Sequence, residues 1–419
     1  MATKPKTWRS RILPGVAGVA VLAGAIGYFS DRVYYNRYLS LFWSFATTGA
    51  QLESYDPVDP IPGNDTPMPR RAAAESGITP DAIKKARDYA IAAKSSAFLV
   101  WHKGALVEES YFGGNTRTTP IISRSLAKPF MSVVIGRAIA LGKIKSLDQP
   151  VSDFITEWKD DPQRSKILIR YLLDNRTGFL GQQPVFGPGD IRNRGYLHPN
   201  HDEILIKEYP LTDPPGSRYD YSQANGDFVA IVIERATGRR YAEFLSTEVF
   251  KPTGMQGGNI WINRPNGMAH SGCCMLIPPE DVLRLGVLLL QDGVWDGERL
   301  MPEGYVTEMR TGTPQYDHAG LSVYIAGKYK ERRGFANPDG RYRDTATLHS
   351  EPYLDKDLFL FDGNAHQVVY MIPSSNTVVL RTGLRPPKEP EFDNTILPNT
   401  IMRGIIRAPG ETTPIPQPR

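Results

Sequence analysis

Strand-like runs near both ends of the folded part and helix-length apolar segments between them predict an α/β protein. Its expected form is an antiparallel sheet flanked by helices, with a mostly helical second lobe. Three observations carry that prediction. A hairpin pattern stands early, at residues 97–111. A second group of strand-like runs stands late, between residues 320 and 381. Apolar helical patterns fill the middle. The simplest assembly joins early and late strands in one sheet and leaves a cleft between sheet and helices.

The chain begins basic and turns apolar. Lys4, Lys6, Arg9 and Arg11 precede residues 12–29, a run of 18 residues without charge. A basic flank before such a run reads as a signal peptide or signal anchor. No small-x-small cleavage pattern comes after it, so an uncleaved anchor over residues 1–32 is expected. The aromatic-rich piece 34–45 would then lie at the membrane interface. This reading implies the membrane as a partner and an inner-membrane anchor, with the folded part periplasmic or extracellular. Residues 56–69 hold five prolines around Gly63, Asn64 and Asp65. They are expected as a tether, which makes 33–78 a juxtamembrane segment and linker.

Thr79-Pro80-Asp81 caps a helix reaching about residue 92. Residues 97–101 and 105–111 form strands that turn at His102-Lys103-Gly104. The next helix reaches about residue 141, carries Phe130, Val133, Val134, Ala138 and Ile139, and stops at Gly142. Residues 165–174 read as a helix. The stretch 179–218 has no period and is expected as a long loop, a lid or a site wall. Helices come next at 224–237, 241–249 and 280–291, and strands at 320–324, 358–361, 368–372 and 377–381. A last helix near 396–406 precedes a proline-rich tail. The folded domain spans 79–385, with 386–419 as C-terminal helix and tail.

At 419 residues and 41% hydrophobic, the chain can bury a large core. Its formal net charge of +4 is spread without a basic stripe, which argues against nucleic-acid binding. Cys273 and Cys274 are adjacent; a disulfide between them is not expected, and neither has the spaced partners of a zinc site. They read as small packing residues.

Chemistry concentrates at Ser125 and Lys128, where a turn gives way to the helix. Three residues apart, they share one side of a helical turn. A lysine there can take the proton that serine must lose to become a nucleophile. Ser-x-x-Lys alone is weak; its weight comes from the ordered segments downstream of it. Gly142-Lys143-Ile144-Lys145-Ser146-Leu147-Asp148-Gln149-Pro150-Val151, then Leu172-Leu173 with Thr177-Gly178, then Tyr221-Ser222-Gln223-Ala224-Asn225 running into Ile233-Glu234-Arg235-Ala236-Thr237-Gly238 complete a pattern. Over residues 80 to 385 it resembles the serine hydrolases of the penicillin-binding and class C beta-lactamase superfamily. The likeness is closer to their family VIII esterase, D-aminopeptidase and 6-aminohexanoate-dimer hydrolase relatives than to the drug-degrading enzymes.

The resemblance implies a beta-lactamase/transpeptidase-like fold and an acyl-enzyme mechanism needing no metal or organic cofactor. It implies that Tyr221 works beside Lys128 on the proton of Ser125. A phenol, with a pKa of about 10, is a poor base in water, but a neighbouring ammonium stabilises its phenolate. The oxyanion hole would be the backbone N–H groups of Ser125 and Asn364. Two departures stand out. Gln223 replaces the usual asparagine of the second motif. The third motif, usually Lys/His-Thr/Ser-Gly, is best matched by Phe361-Asp362-Gly363, so the cation that holds a substrate carboxylate is missing.

That loss argues against beta-lactamase and carboxypeptidase activity and towards a neutral ester or amide, with a carboxylesterase-like activity first. Gln223, Gly363 and His366 are the substrate-binding candidates, with His366 as a replacement donor. A D-amino-acid peptidase or amidase, or a beta-lactamase-like enzyme, of the same fold is the enzymatic alternative. A silent, membrane-tethered binding protein is the non-enzymatic one.

Overall fold

In the computed structural model, which describes residues 27–48, 55–183, 185, 187–334, 346–411 and 413–419, both ends of the folded chain meet in one sheet. The main elements, in order, begin with α1 (Arg32–Thr48), β1 (Val58–Pro62), α2 (Pro80–Ala92), β2 (Ser95–His102), β3 (Ala105–Tyr111) and β4 (Ile121–Ile122). The helical middle contains α3 (Lys128–Ala140), α4 (Ile169–Leu173), α5 (Ile191–Leu197), α6 (His201–Lys207), α7 (Gln223–Thr237) and α8 (Tyr241–Leu245). Then come β5 (Gly257–Trp261), β6 (Met275–Ile277), α9 (Pro279–Leu290) and β7 (Tyr324–Ile325). The chain finishes with β8 (Phe359–Gly363), β9 (Gln367–Ile372), β10 (Thr377–Gly383) and α10 (Ile396–Gly404).

The large sheet has the order β3-β2-β10-β9-β8-β7, and all its pairs are antiparallel. The β2–β3 turn needs left-handed backbone at Lys103 (φ 45°) and Gly104 (φ 93°), as a tight hairpin does. Every residue of β9 is buried, because both faces are covered. Val369, Met371, Val378 and Leu380 pack towards α9 and the helical lobe, whereas Val368, Tyr370, Ile372 and Val379 pack under α2 and α10. The side-chain period of two assigns each strand residue to one of these layers. The expected α/β architecture, with its helical lobe, is the one observed.

Several expectations are corrected. Residues 56–69 are not a tether: β1 pairs with β5 in a second sheet, β1-β5-β6-β4, and Ile61 is fully buried. Its prolines are tolerated because β1 is an edge strand with one unpaired side. The stretch 179–218 contains α5 and α6, helices too short to print a period. Asp190 caps α5 by accepting from the Arg192 N–H at 2.9 Å, and Leu197, Ile204 and Leu205 are buried. Cys273 and Cys274, expected to stay apart, are joined by a disulfide.

The membrane expectation is also corrected. Among the described residues no helix is long and apolar enough to cross a membrane. Of the apolar run, residues 12–26 lie outside the described residues. The piece expected at a membrane interface instead docks on the protein body through α1. Tyr34 is buried and donates to the Pro188 carbonyl. Arg37 donates to the carbonyls of Leu197 (3.0 Å), Asp56 (2.9 Å) and Asn263 (2.9 Å), and stacks over Trp261 at 5.1 Å. Transmembrane helix, membrane partner and inner-membrane location are therefore withdrawn.

Candidate active site

Ser125 is presented by a 3-10 turn, Arg124–Ala127, wedged between β4 and α3. Arg124 has φ 50°, a left-handed conformation that a side chain adopts at a cost of about 1 kcal/mol or more. The second sheet holds this turn in place. The Ser123 N–H donates to the Met275 carbonyl (2.8 Å), and the Met275 N–H donates back to Ser123 Oγ (3.0 Å). Lys128 opens α3 and is 7% exposed.

Tyr221 arrives from the other side, just ahead of α7. The Ser222 N–H donates to Asn175 Oδ1 at 3.3 Å, which ties this stretch to the end of α4. The three separated side chains converge. Ser125 Oγ and Tyr221 Oη are 2.7 Å apart, and Lys128 Nζ lies 4.8 Å from the centre of the Tyr221 ring. Lys128 Nζ donates to Gln223 Oε1 at 3.0 Å and to the Gly272 carbonyl at 2.7 Å. The longer arm of Gln223 thus still delivers its amide oxygen to the lysine.

Ser125, Lys128 and Tyr221 line one cavity with about 330 Å³ of unfilled space, counting its open mouth. Its walls include Asn175, Tyr219, Tyr324, Phe361 and Asp362. Sequence reasoning singled out Asn175, Phe361 and Asp362 but passed over Tyr219 and Tyr324. Tyr219 had a signal, lying two residues before Tyr221. Tyr324 and the neighbouring loop 319–323 had none, since only tertiary packing brings them here.

The third motif sits at the end of β8. A Cβ on Gly363 would stand 3.2 Å from the Leu126 nitrogen, so glycine there lets β8 close on the serine turn. Asn364 comes next, its side-chain Oδ1 buried without a partner. Asp362 is half-buried, and its carboxyl is pushed up to about 7 by burial, against the opposing Arg333 and an Asn394 amide 3.4 Å away. His366 is not brought to the cavity. Its ring leans on Phe392 at 4.9 Å, and its carbonyl accepts from Arg381 at 2.9 Å. Burial, then Arg381, pushes the imidazole down to about 4, so it supplies no charge at neutral pH.

His201, Asp227 and His270 form a buried cluster whose polar atoms lie within 4.8 Å of one another. An ion shared by two imidazoles must lie in both ring planes. Here the rings are stacked, with centroids 4.1 Å apart and planes at 16°, which does not suit shared coordination.

Residues 84–390 match the family model described as Beta-lactamase, so the chain belongs to the beta-lactamase family. It is similar to the 6-aminohexanoate-dimer hydrolase of Paenarthrobacter ureafaciens, 26% identical over 306 residues covering 68% of this chain and 75% of that protein. Esterase EstB of Burkholderia gladioli is 29% identical over 204 residues, 44% of this chain and 47% of the esterase. Among solved structures, a Bacillus anthracis protein provisionally assigned as a 6-aminohexanoate-dimer hydrolase superposes with a TM-score of 0.64 at 19% identity, covering 86% of this chain and 92% of that one. The protein is therefore a serine hydrolase, and its family works through an acyl-enzyme on amides or esters.

Proposed function

We propose that this protein is an amidase for small neutral amides, with Ser125 as nucleophile and Lys128 and Tyr221 as its proton-handling pair. The observation that carries the reading is the 2.7 Å contact between Ser125 Oγ and Tyr221 Oη beside the buried Lys128. Ser125 Oγ attacks the carbonyl carbon as its proton passes to the Tyr221–Lys128 pair. Oxyanion charge falls on the backbone N–H groups of Ser125 and Asn364, a contribution of about 3 kcal/mol by analogy with single donors elsewhere. Collapse breaks the C–N bond, and the pair returns the proton to the departing amine. Water then attacks the acyl-serine and loses its proton to the same pair; the acyl–Oγ bond breaks, Ser125 Oγ takes that proton back, and the acid leaves.

The names of two relatives favour amides, and one wall residue favours an uncharged substrate. The relative matched over most of its length bears the name of a dimer hydrolase, and D-aminopeptidase of Brucella anthropi is 26% identical over 137 residues. Phe361, standing where a cation is usual, suits an uncharged group on that side of the cavity. An ester-hydrolysing activity is the second reading, favoured by the likeness to EstB. The test is intact-mass detection of an acyl-enzyme across linear amides, p-nitrophenyl esters and penicillins, with Ser125→Ala as control. Adducts from amides that vanish in Ser125→Ala are expected. Adducts from esters alone would favour the esterase. No adduct from any of them, with no labelling of Ser125 by a fluorophosphonate, would refute the mechanism.

A further inference from the structure

We propose that Asp227 is a positioning residue for Lys128, its carboxylate orienting the two carbonyl oxygens that hold the lysine. This rests on the reading of Ser125, Lys128 and Tyr221 given above. Gln223 and Asp227 are four residues apart on α7 and face the same way, with Gln223 Nε2 3.5 Å from Asp227 Oδ1. An ionised carboxylate only accepts hydrogen bonds, so it admits the amide with its NH2 side turned in. That leaves Gln223 Oε1 facing Lys128 Nζ, 3.0 Å away. The Gly272 backbone amide also favours the charged form of Asp227, and the Gly272 carbonyl is the second acceptor for Lys128, at 2.7 Å.

The surroundings are built for this contact. A Cβ on Gly226 would meet Gly272 Cα at 2.4 Å, and one on Gly272 would meet Gln223 Nε2 at 2.7 Å. Only two glycines let the helix and the loop approach so closely. His270 Nδ1 lies 3.3 Å from Asp227 Oδ2. Burial holds His270 well below the usual imidazole range and His201 down at about 3, so both rings are neutral at working pH. Tyr196, Tyr209 and Tyr241 also lie within electrostatic reach of Asp227, and none carries a positive charge. Burial raises the Asp227 carboxyl, while the Lys128 charge and the Gly272 and Gln223 amides work to lower it. With both imidazoles neutral, Lys128 is the cation placed to balance the carboxylate.

A carboxylate that merely fills the core would affect how much enzyme folds. One that positions Lys128 also sets the chemistry of each folded molecule. The test compares wild type, Asp227→Asn and Asp227→Glu, counting active sites with a fluorophosphonate. Asp227→Asn is expected to slow Ser125 acylation per folded site by at least about 10-fold. It should also shift the acid limb of kcat/KM to lower pH by about one unit. The sign is fixed, because removing a buried negative charge favours the deprotonated form of the groups around it. Asp227→Glu keeps the charge but misplaces it, so acylation slows while the limb stays.

Acylation within twofold of wild type and an unmoved limb in Asp227→Asn would overturn the proposal. If that variant does not fold, acylation within twofold in Asp227→Glu does so. The side-chain amide signal of Gln223, identified by its loss in Gln223→Leu, gives a readout independent of turnover. It should be protected from exchange in wild type and lose protection in both Asp227 variants, and equal protection in all three refutes the positioning role. A wild type that never acylates Ser125 would instead refute the mechanism proposed above, leaving the amide signal to judge Asp227.

Discussion

Replacing Tyr221 with phenylalanine separates chemistry from packing at this site. The substitution deletes one oxygen, which lies 2.7 Å from Ser125 Oγ, and keeps the ring 4.8 Å from Lys128 Nζ. Loss of one hydrogen bond costs about 1 kcal/mol of stability. Removing a group that moves a proton in the transition state costs about 10²- to 10⁴-fold in rate, or about 3 to 5 kcal/mol. Activity should therefore collapse while the melting temperature barely moves. The leaving group sharpens the test, because nitrophenolate departs without a proton whereas an anilide nitrogen needs one. Stopped-flow acylation by a p-nitrophenyl ester and by a p-nitroanilide of the same acid should show the larger loss for the anilide. Losses under threefold for both substrates, or a change confined to KM, would remove Tyr221 from the mechanism.

Gly226→Ala sets helix propensity against sterics. Alanine favours the helix by about 1 kcal/mol, but its Cβ would fall 2.4 Å from the Gly272 backbone, where no side chain can move aside. Net destabilisation of about 1 to 2 kcal/mol in urea titration is expected, with reduced acylation because the Gly272 carbonyl is displaced from Lys128. Arg37→Ala removes three bonds to carbonyls and should cost about 2 kcal/mol, with faster proteolysis near α1. Unchanged stability would mean that α1 is not firmly docked. Folding should also weaken in acid. Burial pushes His102 down to about 4, and His201 and His349 to about 3, so the unfolded chain binds more protons below about pH 6.5. Asp281 and Asp362, pushed up to about 7, tilt stability the opposite way over pH 4 to 7, but the histidine shifts outweigh them. A melting temperature lower at pH 4.5 than at pH 6.5 is expected; the reverse order would give the carboxyls the larger share.

The large sheet was legible because its strands are short, mostly apolar runs bounded by turn residues and its helices carry longer apolar runs. Ser125, Lys128 and Tyr221 were legible because Ser-x-x-Lys and the Tyr221 motif keep their local spacing and chain order. Other parts left no local signal. β1 reads as a linker from its prolines, and only its pairing with β5 makes it a strand. Asn175 reads from the sequence as a cap or site wall before the Thr177-Gly178 turn, but its bond to Ser222, 47 residues on, is set only by packing. His366 shows the opposite failure. A histidine three residues past Gly363 suggests a ligand contact, yet the chain turns through left-handed backbone at Ala365 and His366 and carries the ring to Phe392. Asp227 is one acid inside an apolar helix until residues 270 and 272 fold against it.

The second sheet has a consequence for handling the protein. β1 covers one edge of β5, and the same ladder continues through β6 to β4, immediately before the serine turn. Trimming the chain past Pro62 would bare a row of peptide groups along Gly257–Trp261, a template for pairing with other molecules. Shortened versions that begin at α2 should clump, and their loss of turnover would then reflect a frayed border rather than missing catalytic groups.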